Sequence, residues 1–184
     1  KKGIDNKSVV PIQREVGIED QQIHEQTLAI HTYIIDYMFH FINPNGVMSM
    51  VVPSNIVSSA PRFKRFVARI VNSSNNLDIF NFDTIPSPLF KDVSQRSSVI
   101  SLNVKDGRGS SSDIYSTRMI RWKNNERIVL FKNLPSTKVD PVVIASLGIV
   151  PNISFPLENV LLRNLITQNQ VKSMLSKSKT FQVD

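Results

Sequence analysis

With three histidines and no cysteine, the chain has no route to thiolate catalysis, disulfides or cysteine-based metal sites. His24, His31 and His40 fall on one helical stretch, where His24 and His31 share a face two turns apart. A zinc site needs three or four ligands converging on one ion, and two imidazoles at that separation do not supply them, so no metal is expected. No serine stands in a Gly-x-Ser-x-Gly elbow, which leaves nucleophilic hydrolysis without support. Gly107-Arg108-Gly109 lacks both the following Lys-Ser/Thr and the strand–loop–helix frame of a phosphate loop. Asp78, Asp83 and Asp92 are scattered, and no Glu-x-Lys nuclease signature follows them. What remains is charge. Between Arg108 and Lys138 seven cations (Arg108, Arg118, Arg121, Lys123, Arg127, Lys132, Lys138) stand against Asp113 and Glu126, with Tyr115 and Trp122 interleaved. Such a stretch is either a DNA-facing patch or a solvated charged strand face.

The whole chain points the same way. Its 184 residues suffice for one domain with a real core, and its formal charge is +7. A basic excess suits an anionic partner, most commonly nucleic acid, or simply a soluble surface. Hydrophobic residues make up 41% and charged residues 20%, the balance of a globular protein. No apolar run approaches the roughly 18 residues of a membrane helix, and no secretory signal follows Lys1-Lys2-Gly3. A cytoplasmic location without membrane contact is therefore expected. The chain opens at Lys1 without Met, from which we expect upstream sequence.

The elements that must position these residues follow from periodicity. Lys1–Gly17 shows no sustained period and reads as a loop or arm. Ile23, Ile30, Ile34, Tyr37, Met38 and Phe41 recur at helical steps, predicting a helix over Asp20–Ile42 with Asp20 as N-cap. Asn43-Pro44-Asn45-Gly46 stops it and turns the chain. Val47–Val52 is almost wholly apolar, which predicts a strand covered on both faces, ended by Pro53. Ser59-Ala60-Pro61 predicts the start of a second helix buried through Phe63, Phe66, Val67, Ile70 and Val71. Asn72–Asn76 breaks it. Leu77–Phe82 and Ser98–Val104 read as strands separated by a Pro-containing loop. Ile114–Trp122 and Arg127–Phe131 read as a basic hairpin. After Pro135 a further helical stretch carries Leu157, Val160, Leu161, Leu165 and Ile166, and the tail Gln168–Asp184 is polar and basic. The order of helices and strands predicts an α/β sheet.

One run of residues resembles a known family. Phe41–Pro53, FINPNGVMSMVVP, resembles the stretch F…LxPxGxxxxIVP that follows the catalytic loop in S-adenosylmethionine-dependent adenine-N6 DNA methyltransferases. The nearest likeness is to the methylase parts of Type I and Type IIG restriction–modification systems. It continues through NIVSSAPRFKRFVARIV (Asn55–Val71), similar to the family helix xxflxxxxxxxlRxxL, and through Leu77–Val104, similar to the last two strands and their joining loop. The likeness spans about Asp20 to Val104.

The resemblance implies a partial Rossmann-like class I methyltransferase sheet, its last three strands with the final one antiparallel, flanked by helices. Ser98–Val104 would insert antiparallel between Val47–Val52 and Leu77–Phe82. Residues 1–19 would be an arm, 20–134 the C-terminal part of the catalytic domain, and 135–184 a linker entering a target-recognition region. In the family, S-adenosylmethionine sits on the first half of the sheet, and an Asn/Asp-Pro-Pro-Tyr/Phe loop grips the flipped adenine. Asn43-Pro44-Asn45-Gly46 lacks the second Pro and the aromatic, and it precedes a strand instead of following one. It is a turn, so no catalytic residue is expected here, and the fragment alone is expected neither to bind the cofactor nor to methylate.

Phe90 carries over as the aromatic that packs on the target base, with ordinary core as the alternative. Lys91, Gln95 and Arg96 flank it and would contact phosphates or remain solvated, and Arg118, Arg121 and Lys123 complete the DNA-binding set. The implied partners are double-stranded DNA and the missing N-terminal half of the domain. An exposed Val47–Val52 edge would also allow pairing with a second copy. The rival readings are a non-enzymatic DNA-binding or specificity module and a standalone interaction domain.

Overall fold

The computed structural model describes residues 29–59, 62–105, 112–132 and 134–167. In chain order the elements are α1 (Ile30–Met38), β1 (Val47–Pro53), α2 (Asn55–Ser58), α3 (Lys64–Ser73), β2 (Ser74–Phe82), β3 (Ser97–Val104), β4 (Asp113–Ile120), β5 (Thr137–Lys138), α4 (Pro141–Leu147) and α5 (Pro156–Thr167). The strands form one five-stranded sheet ordered β1-β3-β2-β4-β5.

β3 lies between β1 and β2 and is antiparallel to both, with Ile100 opposite Met50 on one side and Ile79 on the other. That is the insertion the resemblance implied. The sheet is larger than the expected three strands: β4 adds parallel to β2, and β5 pairs antiparallel with β4. The expected hairpin does not form. Asn124–Glu126 is a 3₁₀ turn, and the Glu126 carboxylate accepts the Lys123 N–H at 2.7 Å, so the chain coils after β4 and does not return as a strand. Coiling is favoured because it buries Trp122 and Leu130 against Phe82.

Alternation in each strand separates two faces. Met48 and Val52 of β1, Leu77 and Ile79 of β2, Ile100 and Leu102 of β3, and Ile114 of β4 turn to the side covered by helices. There they meet Ile35, Ile56, Val57, Phe66, Val67 and Ile70, and from beyond β5 also Val139, Ile144, Val150 and Ile153. Each such side chain contributes roughly 1.5–3 kcal/mol on burial, so this cluster dominates the stability. On the opposite face the described residues form a smaller cluster, around Phe82, Leu89, Trp122 and Leu130.

Three expectations are corrected. Among the described residues β1 is covered on one face only: Val47 is 65% exposed, and Val51 is exposed as well, because no described element lies over that face at the sheet edge. α1 is described only from Ile30 to Met38, with turn bonds carrying the chain on to Ile42; Asp20 and Ile23 lie outside the described residues, as do the arm Lys1–Gly17 and the tail Gln168–Asp184. It buries Thr32, Tyr33, Ile35 and Asp36, leaving Ile30, Ile34 and Phe41 exposed. The helix is apolar on two sides, so periodicity alone did not say which would pack. Lastly, α3 opens at Lys64, not at Ser59, which ends α2 instead. It runs to Ser73 with β2 starting at once, so no free loop separates them.

The Asn43–Gly46 turn is built as its residues demand. Asn45 adopts a left-handed φ of 64°, which asparagine tolerates well, and the Gly46 N–H donates to the Asn43 carbonyl at 2.8 Å. A Cβ on Gly46 would meet the Ile42 side chain and lie 2.8 Å from the Asn43 carbonyl oxygen. The turn is tied to the end of β3 through Asn45 N–H to Val104 O at 3.0 Å and Val104 N–H to Gly46 O at 2.9 Å.

Candidate nucleic-acid interface

β1, β2 and β4 all finish at the end of the sheet where β3 begins, as the pairs Pro53↔Ser97 and Phe82↔Ser97 and Phe82↔Ile120 require. In open α/β sheets the crevice outside the carboxyl ends of the strands is where ligands bind. The loops leaving this end carry Phe90, Lys91, Gln95, Arg96, Arg121 and Lys123, all exposed; Arg118 is exposed on β4 itself.

Phe90 is 46% exposed, and the inward position beside it belongs to Leu89, packed with Phe82, Trp122 and Leu130. The ring is therefore available at the surface. Next to it, Thr84, Ile85, Pro88, Asp92, Val93 and Ser94 line an open recess of about 360 Å³. Asp92 takes a left-handed φ of 63°, and the Val93 N–H bonds the Phe90 carbonyl at 3.3 Å.

Asp83 organises the arginines. Its side chain is 3% exposed and accepts from Arg96 Nε at 3.2 Å, from Arg121 Nε at 2.9 Å and from the Thr84 N–H at 2.8 Å. One buried carboxylate thus brings together two cations that lie far apart in sequence, while both arginine side chains stay more than half exposed. Sequence reasoning missed Asp83, treating it as one of several scattered acids. The available signal was its place immediately after a strand, with arginines at the ends of two others. Burial pushes the Asp83 carboxyl up, but the bonds from Arg121, Thr84 and Arg96 outweigh it and hold it below its ordinary value of 3.8.

A folded-state value below the unfolded one adds stability that is present above the unfolded value and disappears as pH falls through the folded one. Because both arginines are largely solvated, Asp83→Asn should cost only about 1 kcal/mol at pH 7. That gap should shrink steadily below about pH 4 in urea titrations; a gap independent of pH would contradict this origin.

The remaining cations divide. Arg127 donates from Nη2 to the Leu89 carbonyl at 3.0 Å and stacks over Trp122 at 5.1 Å, so it rivets the loop after β2 to the segment after β4. Lys138 pairs with Asp113 at the exposed edge, which raises its pKa through that hydrogen bond and charge. Lys91, Lys123 and Lys132 are exposed. Arg108 lies outside the described residues. His31 is held below its ordinary 6.5 by burial and then by the Arg62 charge, and no group of metal-binding side chains occurs among the described residues. No helix among them is long and apolar enough to cross a membrane.

Comparison with solved structures finds a similar fold in two much longer DNA-bound chains. The chain superposes with a TM-score of 0.53 and 11% identity on a nuclease-deletion mutant of the Type ISP restriction–modification enzyme LlaGI in complex with a DNA substrate mimic, covering 75% of this chain and 15% of that one. With DrdV, seen in a DNA complex by cryo-electron microscopy, the TM-score is 0.52 and identity 10%, over 74% of this chain and 14% of that one. The fold is shared with restriction–modification enzymes. The chain spans about a seventh of the length of each. No protein-family model matches it, and no curated protein does.

Proposed function

We propose that the chain is the C-terminal part of the catalytic domain of a DNA adenine-N6 methyltransferase in a restriction–modification system, a Rossmann-like sheet whose role is to contact DNA and hold the target base. The observation that carries this reading is the antiparallel insertion of β3 between β1 and β2, with Phe90 and the arginine pair on Asp83 at the end of the sheet where those strands finish. The superposed enzymes are DNA complexes, which supports duplex DNA as the partner.

In this reading Lys91, Gln95, Arg96, Arg118, Arg121 and Lys123 lie against the phosphate backbone, where cations supply affinity without reading sequence. Asp83 sets the spacing of Arg96 and Arg121. Phe90 stacks on the extruded adenine. S-adenosylmethionine belongs to upstream sequence: Gly46 and Gly148, the glycines among the described residues, serve a tight turn and the left-handed cap of α4, and neither opens a cofactor loop after a strand. The residues after Pro135 lead toward a target-recognition region. The outer edge of β1, which no described strand covers, and the exposed Ile30, Ile34 and Phe41 would meet the first half of the sheet. With that half absent, the same edge favours self-association, which would show as concentration-dependent sedimentation.

The test uses two labelled duplexes, one fully paired and one with a single bulged adenine that is already extrahelical. Base–aromatic stacking is worth roughly 1–3 kcal/mol, so the wild-type chain should prefer the bulged duplex by at least about fivefold. Phe90→Ala should lose the preference while keeping the affinity for the paired duplex. Equal binding of both duplexes by the wild type removes Phe90 from the base site, and no binding of either removes DNA as the partner.

A further inference from the structure

The turn after β4 carries a feature that the proposed base site does not use. From Trp122 to Lys132 the side chains sort sharply: Trp122 and Leu130 are buried against Phe82, whereas Ile128 is 85% exposed and Val129 53% exposed. Large aliphatic groups this open at a turn tip cost solubility and contribute nothing to this core.

The turn is also closed and anchored. Glu126 N–H donates to Lys123 O at 2.8 Å, Val129 N–H to Glu126 O at 3.0 Å and Lys132 N–H to Val129 O at 3.0 Å, and Arg127 is fixed between Trp122 and the Leu89 carbonyl. Glu126, the acid of the turn, is spent on the Lys123 N–H. Lys123 and Lys132 flank the tip, and Arg118 and Arg121 stand on the segment that leads into it.

We infer that this turn is a preorganised apolar wedge that seats Ile128 and Val129 in a groove of duplex DNA, against the base stack, while its flanking lysines meet the phosphates. Charge selects the occupant. An apolar tip flanked by exposed lysines fits a polyanion that also offers an apolar interior, and duplex DNA offers both: phosphates outside, and base faces and thymine methyls within. Because the backbone is already closed, little ordering is lost on docking. The inference rests on the reading that this end of the sheet faces DNA, and it adds a second contact besides Phe90.

Salt titration separates the wedge from the cations. Affinity of the 184-residue chain for a fluorescein-labelled 30-base-pair mixed-sequence duplex is measured by anisotropy across a salt series. In the double variant Ile128→Ser/Val129→Ser affinity should fall about tenfold at every salt concentration, with the slope of log K against log salt unchanged. Lys123→Ala/Lys132→Ala should instead lower that slope by up to roughly two units. Unchanged affinity in the serine variant, with wild-type binding intact, overturns the wedge and leaves the DNA reading standing; no wild-type binding overturns both. Loss of self-association in the serine variant without loss of DNA affinity would make the tip an interface between copies and likewise overturn it. Both replaced side chains are exposed, and Trp122, the single tryptophan, reports by fluorescence that the turn is intact.

Discussion

Phe82→Ala should lower the unfolding free energy by about 3–5 kcal/mol, the usual cost of emptying a buried aromatic position. Phe82 has no exposed surface and is the one strand residue at the centre of the small cluster with Leu89, Trp122 and Leu130; the Phe131 ring lies 5.5 Å from its own. The loop with Phe90 and the turn with Ile128 both rest on it through Leu89 and Leu130. The cluster is separated from the helical core by the sheet, so its loss should be felt locally first. In urea, the Trp122 fluorescence transition of the variant should precede the loss of far-ultraviolet dichroism, whereas in the wild type the two should coincide. A cost under about 1 kcal/mol, or coincident transitions in the variant, would mean that the loops are held by something else.

Asn81→Leu should cost about 2–4 kcal/mol, although leucine fills nearly the same volume. Asn81 is 1% exposed on the helical face. Its Nδ2 donates to Ser116 Oγ at 3.2 Å and to Thr117 O at 3.0 Å, and its Oδ1 accepts from Ser98 Oγ at 2.7 Å. These bonds join β3, β2 and β4 where the β2–β4 ladder shifts register between Ile79 and Asn81. Its own N–H turns to Thr117 Oγ1 at 2.9 Å. The amide side chain thus replaces ladder bonds that the irregularity removes, and leucine would strand the buried Ser98 hydroxyl and leave the Thr117 carbonyl with only the 3.4 Å contact from Ser116 Oγ. Adding Ser98→Ala to the leucine variant should recover about 1 kcal/mol by removing one of the stranded groups. Thermal unfolding of the single and double variants measures it; no recovery would assign the cost to packing instead.

How much of this was legible beforehand depended on whether the signal was local. The Asn43–Gly46 turn, the strands over Val47–Val52, Leu77–Phe82 and Ser98–Val104, and the helix buried through Phe66, Val67 and Ile70 are written in turn chemistry and periodicity, and all of them form, although that helix opens at Lys64 and β2 already begins at Ser74. The hairpin was misread because Arg127–Phe131 is apolar and basic in a strand-like manner. The competing signal, Trp122 and Leu130 reaching for Phe82, acts across the sheet and leaves no trace in local spacing. α1 was misread on its buried face for a related reason: with apolar residues on two sides, only the position of the sheet selects Ile35 over Ile34.

Of the site, composition and short-range order supply the inventory: a basic chain without cysteine, an aromatic in the loop after Leu77–Phe82, and a cluster of cations after Asp113. Residue types and short-range order suffice for that. Which of those residues meet was decided only in three dimensions. Asp83 gathers Arg96 and Arg121, Arg127 locks the Phe90 loop to the following turn, and Leu89 takes the buried place that leaves Phe90 at the surface. Each of these contacts is made where the loops leaving neighbouring strands meet at one end of the sheet. Register and burial select them, and neither exists until the strands have paired.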